Sequence, residues 1–285
     1  MDAQHLRVEA RARAGSGAAR RLLNKVPEVT LLFWVIKILC TTVGETVSDF
    51  LNADVGLGLA TTGLVMGGAL LLALAAQLAL RKYVPWVYWL VVVLISIVGT
   101  VITDELHDVL GIDLGVLTGV FAVVLAAIFG LWFAVERTLS IRTIHTRRRE
   151  GFYWATILAT FALGTAAGDF LLETLQDGLG DQRGGLLLSG ALFAVVIALA
   201  ATAHLALKVN PILTFWIAYV FTRPLGANIG DLLGGDPASV VDDAGNPGVG
   251  GLGLGAPLVS AVFLAAILAS IVYLTVTKKD AAPDP

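Results

Sequence analysis

The chain is poor in charge. Of its 285 residues only 14% are Asp, Glu, Lys or Arg, while 57% are hydrophobic and the mean hydropathy is +0.83. Soluble domains carry about a quarter charged residues, so the composition excludes an ordinary water-soluble globule and indicates a polytopic membrane protein. Cysteine is almost missing. With Cys40 alone, no intrachain disulfide can form, and a lone thiol in an apolar segment reads as a small buried hydrophobe. One cysteine and two methionines also leave no soft cluster for Cu(I) or a thiolate zinc site. No HExxH, P-loop, dinucleotide fingerprint or Ser/His/Asp constellation is present, which argues against an enzyme. The seventh apolar segment has no lysine for a retinal Schiff base. The basic N-terminal arm has no hydrophobic run of the signal-peptide kind, and is expected to lie on an anionic membrane surface.

What is abundant is long apolar sequence. A membrane-crossing helix needs about 20 apolar residues, and eight stretches qualify: 31–51, 56–80, 84–106, 114–135, 152–173, 185–207, 211–233 and 252–276. The expected fold is all-α with eight transmembrane helices. The net charge of −3 says little, because the charges are sorted by loop. Lys and Arg gather in the arm (Arg7, Arg11, Arg13, Arg20, Arg21, Lys25), at Arg81–Lys82, in the 136–151 loop, at Lys208 and at Lys278–Lys279. The alternate loops are short or acidic, with Asp108, Asp113, Asp177, Asp181, Asp236, Asp242 and Asp243, and carry only Arg183. The positive-inside rule then predicts both termini in the cytoplasm.

One motif recurs four times: Trp34–Gly44–Asp49, Trp89–Gly99–Asp104, Trp154–Gly164–Asp169 and Trp216–Gly226–Asp231, always with ten and then five residues between members. A fixed period of this size marks a repeat architecture. The predicted units are a basic arm 1–29, repeats 30–82, 83–150, 151–209 and 210–277, and a tail 278–285. Each repeat holds two spans, so all four enter with the same orientation, as parallel repeats about an axis normal to the membrane. The simplest packing sets the four odd spans around a common centre. The even spans, which begin with glycine and small residues, then form an outer layer whose backbones can approach closely.

On this motif the chain resembles a family of bacterial inner-membrane proteins with four tandem two-helix repeats of unknown function, each with a characteristic tryptophan. The resemblance covers about residues 25–277 and implies eight helices and a bacterial inner membrane, but no activity. In style alone the chain is also similar to bacterial exporters of manganese and other divalent cations, which pair acids with glycine in duplicated helical units.

At a rise of 1.5 Å per residue each Asp stands roughly 22 Å from its Trp, near the outer boundary of the hydrocarbon, with the Gly near the midplane. The tryptophans read as interface anchors and the glycines as packing positions. Residues four apart share a helix face, giving polar lines Thr41–Glu45–Asp49, Ser96–Thr100–Asp104, Thr165–Asp169 and Arg223–Ala227–Asp231, with Asn228 beside the last. Carboxylate, hydroxyl and carbonyl oxygens suit Mn²⁺, Ca²⁺ or Mg²⁺. The expected ligands are Asp49, Asp104, Asp169, Asp231 and Glu45. Lys37, Arg223, Thr41, Thr100, Thr165 and Asn228 are expected as pathway or counter-charge groups. His107 with Asp108 forms a secondary candidate. An anion near a helix C-terminus is disfavoured by the macrodipole, and the motif persists while its surroundings diverge, so these acids point to function.

Lys37, Glu45 and Arg223 break the repeat. A charge at mid-membrane costs at least about 2.5–3.5 kcal/mol, and Glu45 with Arg223 is the expected pair. A plain pore needs no such trio, whereas a coupled transporter does. The sequence therefore favours a transporter of a hard divalent cation, with proton-coupled export as the natural form. The alternatives are a cation channel with an Asp ring at its outer mouth, or a non-transporting assembly or sensory protein. The expected partners are lipid, the ion and, in an oligomer, further copies of the chain. Nucleic acid and a covalent cofactor are not expected.

Overall fold

The computed structural model describes residues 24–241, 245 and 247–280. Arg7, Arg11, Arg13, Arg20 and Arg21 of the arm, Asp242 and Asp243, and the tail after Asp280 lie outside the described residues. Eight long helices form: α1 Leu31–Asp49, α2 Leu59–Ala79, α3 Pro85–Asp104, α4 Leu114–Glu136, α5 Arg147–Leu179, α6 Gln182–Leu205, α7 Pro211–Gly234 and α8 Ala256–Thr277. Among the described residues there is no strand, only one isolated bridge between Val241 and Pro247.

The helix starts follow local chemistry. Side chains of Thr30, Asp113, Thr146, Asp181 and Asn210 accept hydrogen bonds from backbone N–H groups of the first turn, which supplies partners that a helix terminus lacks. Pro85 and Pro211 occupy first-turn positions where the missing N–H costs nothing. All but α7 are long and apolar enough to cross a membrane, and together they mark a multi-pass membrane protein. The exception, α7, carries Arg223, Pro224, Asn228 and Asp231.

The odd helices form a closed ring, with α1 against α3, α3 against α5, α5 against α7 and α7 against α1. The even helices lie outside, as the pattern of small residues predicts. Their assignment is less obvious: each packs chiefly on the odd helix of the following repeat, α2 on α3, α4 on α5, α6 on α7 and α8 on α1, and α6 also lies against α5 of its own repeat. The layers differ in burial accordingly. α1, α3 and α5 are 61–83% buried, and the even helices only 17–22%. The outward faces are apolar, with Leu64, Leu72 and Val276 about three-quarters exposed, as a lipid-facing surface requires.

The repeat glycine makes the ring possible. A Cβ on Gly44 would lie 2.5 Å from Ser96 Cβ, on Gly99 2.9 Å from Phe161 Cβ, on Gly164 2.6 Å from Arg223 Cβ and on Gly226 2.6 Å from Thr41 Cβ. In every case the neighbour stands three residues before the next repeat's own glycine. The same contact is thus made four times in cyclic order. Here the expected packing role of the glycines holds.

The tryptophans differ from expectation. Trp89, Trp154 and Trp216 are at most 5% exposed and point inward, whereas interface anchors would face outward. They close the basic end of the ring with their aromatic neighbours. Phe33–Trp89, Tyr88–Trp154, Tyr153–Trp216 and Trp34–Phe215 centroids are 5.4–6.4 Å apart, one contact for each neighbouring pair of odd helices. Trp216 Nε1 also donates to Leu139 O at 3.0 Å. Trp89 and Trp154 have no such bond, their Nε1 atoms being buried without a hydrogen-bond partner, so aromatic packing is what holds them inside.

The basic end is further tied by buried polar contacts. Lys25 Nζ lies 2.6 Å from Glu150 Oε2, and Gln77 Nε2 donates to Glu150 Oε1 at 3.1 Å. These bonds join the segment before α1 to the end of α2 and the first turn of α5.

Candidate functional site

The four repeats place equivalent residues in layers down the ring. The layer nearest the acidic end holds Asp49, Asp104, Asp169 and Asp231. The next, four residues back, holds Glu45, Thr100, Thr165 and Ala227. Below it come Thr41, Ser96, Phe161 and Arg223, then Lys37, Val92, Ile157 and Tyr219. Asp49 is exposed and the other three Asp residues are half-buried, so water reaches the first layer. The lower two layers are closed: all eight side chains are at most 1% exposed.

Carboxylate oxygens of Glu45, Asp49 and Asp231 lie within 4.8 Å of one another. A hard cation binds oxygens at about 2.0–2.6 Å, so donors on opposite sides of an ion stand about 4–5 Å apart; the trio fits that span. Asp104 and Asp169 complete the acidic mouth without joining the trio. All four Asp residues are close enough to Glu45 to feel its charge.

Arg223 sits beneath these acids. Its Nη2 lies 2.6 Å from Glu45 Oε2 and also donates to Thr100 Oγ1, while Nη1 donates to Thr41 O at 3.4 Å. One guanidinium therefore bridges α7 to α1 and α3, and its aliphatic stem fills the space left by Gly164 on α5. Its Nε is buried without a hydrogen-bond partner. The expected Glu45–Arg223 pair is present, and the centre holds five carboxyl groups against two cations.

The second cation, Lys37, is fully buried. Its Nζ donates to Thr222 Oγ1 at 2.5 Å and lies 4.0 Å from the Tyr219 ring centroid and 4.9 Å from that of Phe161. No carboxylate pairs with it among the described residues.

The other predicted residues divide. Thr41 and Thr100 belong to the Arg223 cradle. Thr165 is buried in the same register, with its hydroxyl donated to Phe161 O at 3.1 Å. Asn228 does not face the centre: it accepts from Ser189 Oγ at 2.6 Å on the outer helix α6, and its own amide donates to Pro224 O. It joins an outer helix to the ring. His107 stands apart from the trio. Its Nδ1 meets Ile112 O at 2.9 Å, and its Nε2 lies 3.7 Å from Glu173 and 4.0 Å from Asp108. Glu173 is a neighbour that spacing alone could not reveal.

The helix-end argument for the acids is also revised. α5 runs ten residues beyond Asp169, and wide helical turns, Phe50–Asp54 and Glu105–Val109, continue the chain past Asp49 and Asp104. Only Asp231, three residues from the end of α7, stands in a last turn. The macrodipole therefore does little to these acids, and their mutual proximity is the stronger electrostatic feature.

Fold and centre together define a class: a four-repeat, eight-helix membrane bundle with an acid-lined mouth over a buried arginine. The chain belongs to the family described as Repeat of Unknown Function (DUF347), whose model matches residues 32–83, 87–138, 152–209 and 214–280. No curated protein and no solved structure matches it.

Proposed function

We propose that this protein is a transporter of a hard divalent cation of the Mn²⁺ type in a bacterial inner membrane. In this reading the acidic mouth faces outward and the termini lie in the cytoplasm, which the bias of Lys and Arg among the loops supports. The observation that carries the reading is the Glu45–Asp49–Asp231 trio with Arg223 paired to one of its members. A cation entering the mouth competes with the guanidinium for Glu45. Binding then frees Arg223, and the lower layers respond to the change in charge. The ion is the substrate; no resident cofactor is required.

The buried lower layers favour a transporter over a channel. A channel with an Asp filter needs a continuous wet path, and here Arg223, Phe161, Lys37 and the aromatic ring fill the axis. Alternating access, by contrast, requires a state closed at one end.

The test is flux in liposomes holding the purified full-length protein. Saturable Mn²⁺ flux is expected, and Asp49→Asn or Asp231→Asn should weaken cation binding about 10–100-fold, the range found when even supporting groups of a metal site are removed. Flux unchanged in both variants would sink the site. No Mn²⁺, Ca²⁺ or Mg²⁺ flux in the unmodified protein would leave a non-transporting role.

A further inference from the structure

We propose that a groove between α2, α3 and α5 at the basic end of the bundle holds one acyl chain of an anionic phospholipid, whose phosphate is met by Arg81, Lys82 and Arg147. The proposal does not depend on the transport reading.

The groove has a volume of about 240 Å³ and an almost wholly apolar lining. Its floor is Ile95 of α3 and Trp154 of α5, both buried, and its rim on α5 is Gly151 and Ala155, both exposed. On α2 it runs from Leu70 to Leu78, which is roughly 12 Å at the helical rise. One leaflet of the hydrocarbon is roughly 15 Å deep, so the groove follows most of the length of a single acyl chain. A helix with its side chains is about 10 Å across, too wide for so small a volume spread over that distance.

The groove exists because the third repeat departs from the others. Gly151 stands three residues before the repeat tryptophan, and Ala155 follows it directly. The same two positions hold Leu31 and Val35 in the first repeat, Trp86 and Leu90 in the second, and Leu213 and Ile217 in the fourth. Only the third repeat has small residues at both, and nothing lies within 4 Å of where a Cβ on Gly151 would stand.

The charges at its mouth are of one sign. Arg147 lies one turn before Gly151 on the same face of α5. Arg81 and Lys82 follow Leu78 just past the end of α2. All three are exposed, and among the described residues none forms an ion pair. Their neighbours are already engaged: Arg148 and Arg149 hold Glu136, and Lys25 holds Glu150. Trp86, a few residues beyond Lys82, is 58% exposed, as an aromatic at the headgroup level is. Three unpaired cations therefore stand where an apolar groove meets the interface. The groove alone would take any chain, and the cations alone any anion; together they select an anionic lipid.

The test uses the purified full-length protein, stripped of lipid in detergent. Phosphatidylglycerol and phosphatidylcholine with the same chains are titrated in separately, and bound lipid is counted by native mass spectrometry. One phosphatidylglycerol should bind at least about ten-fold more tightly than phosphatidylcholine. Arg147→Gln should weaken that site about five-fold, the effect of one basic group at a membrane surface, and leave phosphatidylcholine unaffected. Gly151→Leu with Ala155→Val, the pair of the first repeat, fills the groove, keeps every charge and should abolish the tight site. Leucine favours a helix over glycine, so the thermal midpoint should not fall; if this variant unfolds, Arg147→Gln decides. Equal affinity for the two lipids, or a tight site that survives the filled groove, overturns the proposal. A dimer of the unmodified protein that the filled groove dissociates would assign this face to a second copy, and would overturn it as well.

Discussion

Single residues in this ring act through what they make room for. Gly226 is the clearest case, since a Cβ there would lie 2.6 Å from Thr41 Cβ and 3.0 Å from the backbone nitrogen of Thr42. A backbone cannot step aside as a side chain can. Gly226→Ala should therefore cost about 1–3 kcal/mol through overpacking, read as a lower thermal midpoint and loss of the monodisperse peak in detergent. Gly67→Ala on α2, where nothing lies within 4 Å, should leave both unchanged. Arg223 gives a second case. Its 2.6 Å pair with Glu45 is nearly dry, with side-chain exposures of 1% and 12%. Breaking such a pair costs about 3–5 kcal/mol because a charge is stranded, whereas removing both charges can be neutral. Arg223→Met should thus lower the thermal midpoint strongly, and Arg223→Met with Glu45→Gln should recover more than half of the loss. A pair that behaves additively would mean that Arg223 matters only as bulk.

At the scale of elements, much was legible in the sequence, and the failures have a common cause. The eight long helices fall where the apolar stretches do, although α7 is not apolar enough to count as a span, and the fourfold motif foretells four helices around a centre. Polar lines spaced by four place Glu45, Thr100 and Arg223 on facing sides. Periodicity fails where both sides of a helix are apolar. Lipid and protein interior look alike to a tryptophan, so the sequence could not tell an outward anchor from the inward Trp89 and Trp154. Asn228 lies one residue from a central position and turns to Ser189 on α6. Nor does any sequence signal say which odd helix an even helix covers. Hydroxyl contacts mark it in two of the four cases, Ser189 to Asn228 and Ser260 Oγ to Thr46 Oγ1 at 2.7 Å, the latter joining the last helix to the first, while the equivalent Thr62 and Thr118 hydroxyls are buried without a partner. In a Cys40→Ala background, Ser260→Cys with Thr46→Cys should therefore form a disulfide under mild oxidation, seen as a mobility shift that a reductant reverses. A pair that never crosslinks would open the ring between α8 and α1.

For the whole molecule, the displaced packing of the even helices has a consequence for folding. Each repeat places its outer helix chiefly on the next repeat, and the fourth places its own on the first, so the repeats interlock around the ring. A break in the exposed turn between Arg137 and Thr138 would give a first half of α1–α4 and a second of α5–α8. In the first half α4 has lost its packing partner α5, and in the second α8 has lost α1. The central layers are divided as well: Glu45 and Lys37 fall in one piece, and Arg223, Tyr219 and Asp231 in the other. Association of helices in a bilayer draws on close packing and hydrogen bonds rather than on hydrophobic burial, and each half would expose small residues and polar atoms meant for the other. Either half expressed alone should therefore be degraded or run as an aggregate. The two expressed together, with an affinity tag on one, should copurify in equal amounts and regain whatever cation binding the intact chain has. A first half that is monodisperse alone would show that duplication had left self-sufficient pairs of repeats, and that the ring is an assembly of two bodies rather than one fold closed by its last helix.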